Sequence, residues 1–192
     1  MGEKNASLKD LLQTIERTLN LAWGTNWGDF TKAYPTKSDP NTLNLPIITH
    51  RVKEKVPSTM GSHKELKPRV RSQFKTDKDH ITIWGQRFDC VLEFGMWGRG
   101  DSQVADLAER FEEFMLTYSG IFKEMGIVEI VYIKTTDEQP PNSWRVNLDS
   151  RHMYFHVVVE KLTPVSNNTL QSIRLKILNE DGELIETVDP LN

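Results

Sequence analysis

The chain has 192 residues, 38% hydrophobic and 9% aromatic, which suffices for one packed domain with appendages and excludes global disorder. Its formal charge of −3 is small and conceals opposed local charges, so it excludes no class of partner by itself. One cysteine, Cys90, rules out an intrachain disulfide; inside an apolar strand-like run it reads as a small buried hydrophobe in a reducing compartment. The start MGEKNASLKD has no apolar h-region, and no window reaches the roughly eighteen apolar residues of a membrane span. The expectation is a cytosolic protein, or one assembled from the cytosol, with no membrane partner.

In chain order, the first element is a helix over about 8–21. Leu8, Leu11, Leu12, Ile15 and Leu19 fall at helical spacing, and Ser7 is placed to cap it with Asp10 as its capping-box partner. From Gly24 to about Asp79, Gly24, Gly28, Pro35, Pro40, Pro46, Pro57, Gly61 and Pro68 interrupt any long helix. A short run, 45–49, reads as a strand held to an edge or a start by Pro46, and the remainder reads as an irregular arm. Trp23, Trp27, Phe30 and Tyr34 in its early part imply packing against the body.

The body begins near His80. His80–Trp84 and Arg87–Trp97 read as two strands, with Gly85 and Gln86 as a tight link or a bulge. Gly98, Arg99 and Gly100 end the second. Asp101 or Ser102 then caps a helix ending near Tyr118, with Val104, Leu107, Ala108, Phe111, Phe114, Met115 and Tyr118 as its apolar face. Gly120 and Gly126 bracket a short turn. Strands are expected over 127–134, 144–148 and 154–162, with Pro140 and Pro141 in a hairpin-like connection. The order predicts an α+β fold, a mostly antiparallel or mixed sheet with one long amphipathic helix packed across it. A C-terminal hairpin follows, turning at Asp181-Gly182. The pattern divides the chain into an N-terminal helix (1–22), a basic arm (23–79), the body (80–163) and a linker with hairpin (164–192).

Motifs for chemistry are sparse. GxSxG, GxxxxGK[ST], GxGxxG, HExxH and paired cysteines are all missing from the sequence. His152 and His156 lie in a strand-like run, where period two puts them on one face, and each reads as a satisfied structural histidine. Gly95 to Gly100 reads as a strand end and helix cap, not a phosphate loop. No catalytic residue, no cofactor and no metal is expected.

The charge split is the firmest unusual feature. Residues 51–78 carry nine cations and three carboxylates, a local charge of +6 that leaves −9 on the rest; the last fourteen residues hold five carboxylates and no Lys or Arg. Arg51, Lys53, Lys55, Lys64, Lys67, Arg69 and Arg71 are the candidate partner contacts. Only Phe74 is available there for base stacking, so an acidic surface on a neighbouring subunit is preferred over nucleic acid.

The runs Ile83-Trp84-Gly85-Gln86-Arg87-Phe88-Asp89, Glu93-Phe94 and Ala105-Asp106-Leu107-Ala108-Glu109-Arg110-Phe111-Glu112-Glu113-Phe114-Met115, after Lys67-Pro68-Arg69-Val70-Arg71, resemble neck and tail-completion proteins of tailed bacteriophages, most nearly the tail-terminator group. The likeness spans about 45–162. It implies a virion subunit without a reaction or cofactor. Such subunits form a ring, commonly hexameric, which ends the tail tube and offers a surface to the head connector. The implied partners are further copies of the chain, the tail tube, connector or neck proteins, and sheath protein if the tail contracts; DNA only passes through. In such a ring Glu109, Glu112 and Glu113 would face the lumen. A head-closure or connector component is the alternative position, and a DNA-binding module using the basic arm the alternative function.

Overall fold

A computed structural model describes residues 6–32, 44–60, 63–75, 80–137, 148–166, 175–178 and 184–188. Among these residues the fold is α+β, with a mixed six-stranded sheet and two helices. The chain divides into two compact units, Met1–Glu65 with Arg87–Lys161, and Leu66–Gln86 with Leu162–Asn192.

The first unit opens on α1 (Leu8–Trp23). Asp10 N–H donates to the Ser7 hydroxyl at 3.2 Å and Ser7 N–H donates to the Asp10 carboxylate at 2.8 Å, a reciprocal capping box. The Ser7 hydroxyl also donates to the Asp10 carboxylate at 2.7 Å, and this bond first, then that from Ser7 N–H, holds the Asp10 carboxyl below its ordinary value. Leu11, Ile15 and Leu19, spaced by four, are fully buried. Then come β1 (Asp29–Thr31), β2 (Ile47–Pro57), the short pair β3 (Thr59–Met60) and β4 (His63–Lys64), part of β6 (His80–Gly98), α2 (Asp101–Glu124), β7 (Ile127–Thr136) and most of β8 (Asp149–Ser166). Strand order is β1-β2-β6-β8-β7; β1 runs parallel to β2, and β2–β6 and β7–β8 are antiparallel.

Period-two alternation separates the two faces of this sheet. Leu92, Phe94 and Met96 of β6 and Met153, Phe155, Val157 and Val159 of β8 enter a core shared with Leu11, Ile15 and Leu19 of α1 and Val104, Leu107, Phe111 and Phe114 of α2. Phe94 sits at its centre, 5.0 Å from Phe111 and edge-on to Phe155 at 5.7 Å between centroids. Burial pushes the Cys90 thiol up in this core, although Lys55 pulls it partly down.

In the second unit, β5 (Arg69–Lys75) pairs antiparallel with the start of β6, and β9 (Leu175–Leu178) pairs antiparallel with β10 (Leu184–Val188).

Several element bounds differ from the sequence reading; β1 lies in the expected arm and β8 starts at Asp149 rather than Tyr154. Residues 51–57, expected in an irregular arm, continue β2, and 69–75 form β5. Alternation of Arg51, Lys53 and Lys55 with Val52 and Val56 suits a pleated strand once the charges are satisfied, and Glu93 satisfies two of them. His80–Trp84 and Arg87–Trp97 are one strand, and the register shifts fall in its partners, at Val52/Glu54 and Val70/Ser72. Finally, α2 starts after Gly100, without a side-chain cap, and runs past Gly120 to Glu124, because its last turn buries Phe122 completely. Residues 144–147 of an expected strand, the Pro140-Pro141 connection and the Asp181-Gly182 turn lie outside the described residues.

Candidate functional site

The second face of the first unit's sheet carries polar groups that are buried and joined. Glu93 projects there from β6, between core-facing Leu92 and Phe94, and is 1% exposed. Register brings Arg51 of β2 opposite Glu93. Arg51 Nη2 donates to Glu93 Oε2 at 2.8 Å, and Arg51 Nε lies 2.7 Å from Oε1 as an ion-pair contact without good hydrogen-bond direction. Lys53 Nζ is 2.8 Å from Oε2, and His152 Nδ1 of β8 is 3.2 Å from Oε1. Four contacts thus crowd two oxygens and tie β6 to its neighbours β2 and β8.

A second set of contacts lies one step along the same face. Trp97 Nε1 donates to Thr49 Oγ1 at 3.0 Å, and that hydroxyl donates to the Gly95 carbonyl at 3.2 Å. The Trp97 ring meets His152 edge-on at 5.7 Å. Gly95 is required here for space. A Cβ at that position would stand 2.7 Å from Thr49 Oγ1 and 2.9 Å from Trp97 Nε1. At the far end of β2, Ser58 Oγ donates to Asp89 Oδ1 at 2.8 Å, and His156 Nε2 lies 3.5 Å from the same oxygen. Glu65, 1% exposed, accepts from Arg87 N–H at 3.1 Å.

This arrangement clamps strands: nitrogens of β2 and β8 stand against both carboxylate oxygens of Glu93 on β6. Among the described residues no group of three or more His, Cys, Asp or Glu is placed to hold a metal. Nor is any described helix long and apolar enough to cross a membrane. On the other face, His50 stacks on Phe30 at 4.7 Å; burial, and then the Lys32 charge, push its pKa below the ordinary value.

The structure gathers few of the candidate contacts. Arg51 and Lys53 converge on Glu93, while Lys55 Nζ lies 4.7 Å over the Phe88 ring. Lys64, Lys67 and Arg69 are exposed and Arg71 is half-buried, with Lys64 in the first unit and the other three in the second. Glu109 and Glu113 are exposed on α2, and Glu112 is half-buried. His152 is buried, with Nδ1 against Glu93, and His156 is half-buried beside Asp89. Sequence reasoning missed the role of Glu93; its one signal is a lone carboxylate inside the apolar run Cys90–Trp97. Set against protein-family models and curated protein sequences, the chain matches none.

Proposed function

We propose that the chain is a structural, non-catalytic subunit of a tailed-phage neck, closest in kind to a tail terminator: a ring, hexameric in the simplest case, that ends the tail tube and receives the head connector. The observation that carries this reading is the phage-like text Ile83–Asp89, Glu93-Phe94 and Ala105–Met115, which falls on β6 and α2, the strand and helix that meet at Phe94 and Phe111 in the core. The Glu93 cluster supports it, because its groups are spent on each other and fix strand register. In the ring, exposed Glu109 and Glu113 line the lumen, where carboxylates repel passing phosphates. The alternative neck position, a head-closure or connector component, is separated from this one by phenotype.

The test is electron microscopy of particles made without this chain, with native mass spectrometry of the purified protein. Tails of irregular length and a closed ring of one fixed subunit number are expected. Normal tails detached from full heads would move the chain to a joining role. A protein that stays monomeric and binds neither tubes nor heads would end the reading. Salt-sensitive DNA binding lost on reversing Lys67, Arg69 and Arg71 would replace it with a nucleic-acid function.

A further inference from the structure

Strand β7 ends the sheet order, with β8 as its neighbour among the described residues. It leaves Val128, Val131 and Ile133 exposed by 38, 45 and 47%, on a strand where the core needs only Ile127, Ile130 and Tyr132. Glu129, Val131 and Lys134 pair with Val158, His156 and Tyr154 of β8, so they share the face opposite the helices. Edge strands are commonly blunted by lysines and bulges. β7 has Lys134 and register shifts at Ile127/Glu129 and Tyr132/Lys134, yet blunting does not account for three large apolar side chains kept in water along one edge.

We infer that β7 is a docking edge for the β7 of a second copy of this chain, paired antiparallel about a two-fold axis near Val131. The charge pattern selects that occupant. The acid, Glu129, lies on one side of Val131 and the base, Lys134, on the other. With the axis at Val131, antiparallel pairing sets Glu129 of each copy opposite Ile133 and next to Lys134 of the other, and brings the two Val131 side chains together. Parallel pairing in register would set Glu129 against Glu129 and Lys134 against Lys134. A two-fold contact joins like surfaces, whereas ring contacts join unlike ones, so the inference does not rest on the proposed ring.

The full-length chain tests this in two independent ways. Val131→Cys places thiols at the axis, while buried Cys90 stays out of reach. Under mild oxidation Val131→Cys forms a disulfide-linked dimer, and Leu116→Cys, 64% exposed on α2, does not. Glu129→Lys and Lys134→Glu each weaken the dimer by roughly tenfold in light scattering, and the double swap restores it, while the Val131→Cys cross-link at the axis identifies the contact as isologous. Equal cross-linking of both cysteines, or single reversals without effect, overturns the inference. A closed single ring with no Val131→Cys cross-link removes the two-fold contact and leaves the ring standing. Cross-linked dimers without rings do the reverse.

Discussion

Glu93→Gln keeps the volume of the side chain and removes its charge, so it isolates the electrostatics of the clamp. The carboxylate is 1% exposed, with cationic nitrogens at 2.7, 2.8 and 2.8 Å and His152 Nδ1 at 3.2 Å. Breaking a buried ion pair from one side costs about 3–5 kcal/mol, chiefly because the other charge is stranded. Here the stranded side chains, Arg51 and Lys53, are 39% and 37% exposed, and water recovers part of the loss. The expected destabilisation is therefore at the low end, about 3 kcal/mol. Arg51→Met removes one cation but leaves Glu93 with Lys53 and His152, for an expected loss of about 1–2 kcal/mol. The double variant should lose less than the two single losses together by about 1 kcal/mol, since neither change then strands the other group. Urea unfolding followed by circular dichroism reads these values as midpoint shifts at constant slope. A Glu93→Gln loss below about 0.5 kcal/mol, the range of an ordinary surface change, would refute the clamp, and so would strict additivity.

The depressed pKa of His50 makes the folded state the weaker proton binder, so stability is lost as pH falls from the ordinary value of 6.5 towards the folded one. His50→Phe, which keeps the ring on Phe30, should flatten that acid limb in urea midpoints measured from pH 7.5 to 5. For Cys90, the raised pKa and complete burial predict negligible reaction with Ellman's reagent in the native protein and full reaction in urea; the matching stability is present below the ordinary pKa of 9.0 and lost as pH rises through the folded value. Gly28 has φ +144°, and a Cβ there would lie 2.0 Å from the Pro46 carbonyl oxygen, whereas at Gly24, φ +84°, a Cβ meets nothing within 4 Å. Gly28→Ala should cost about 3 kcal/mol or more and Gly24→Ala about 1–2 kcal/mol, read from thermal or urea unfolding.

Elements fixed by local pattern were legible in the sequence. Ser7, Asp10 and the Leu11/Ile15/Leu19 spacing locate the start and buried face of α1 without any distant partner. Elements fixed by distant partners were not. β2 beyond Thr49 looks too charged for a strand until Glu93, about forty residues away in sequence, is seen to pair with Arg51 and Lys53. The end of α2 fails for an energetic reason. An interior glycine costs a helix about 1 kcal/mol, which argues for a stop at Gly120; full burial of Phe122 returns about 1.5–3 kcal/mol and carries the helix on to Glu124.

The same distinction changes what the basic segment means. Adding charges along residues 51–78 treats every cation as available to a partner, but a sheet distributes alternate residues to opposite faces and sets them against other strands. Arg51 and Lys53 share one carboxylate of their own chain at hydrogen-bonding distance, so one of their two positive charges is cancelled and both side chains are engaged before any neighbour approaches. A surface seeking an acidic or phosphate partner has Lys55, Lys64 and Lys67 as further exposed cations among the candidates, and these are divided between two units. Charge reversal at Lys67 therefore probes docking, while reversal at Arg51 or Lys53 disturbs the sheet first. A binding defect in the latter variants says nothing about an interface unless the unfolding midpoint is shown to be unchanged.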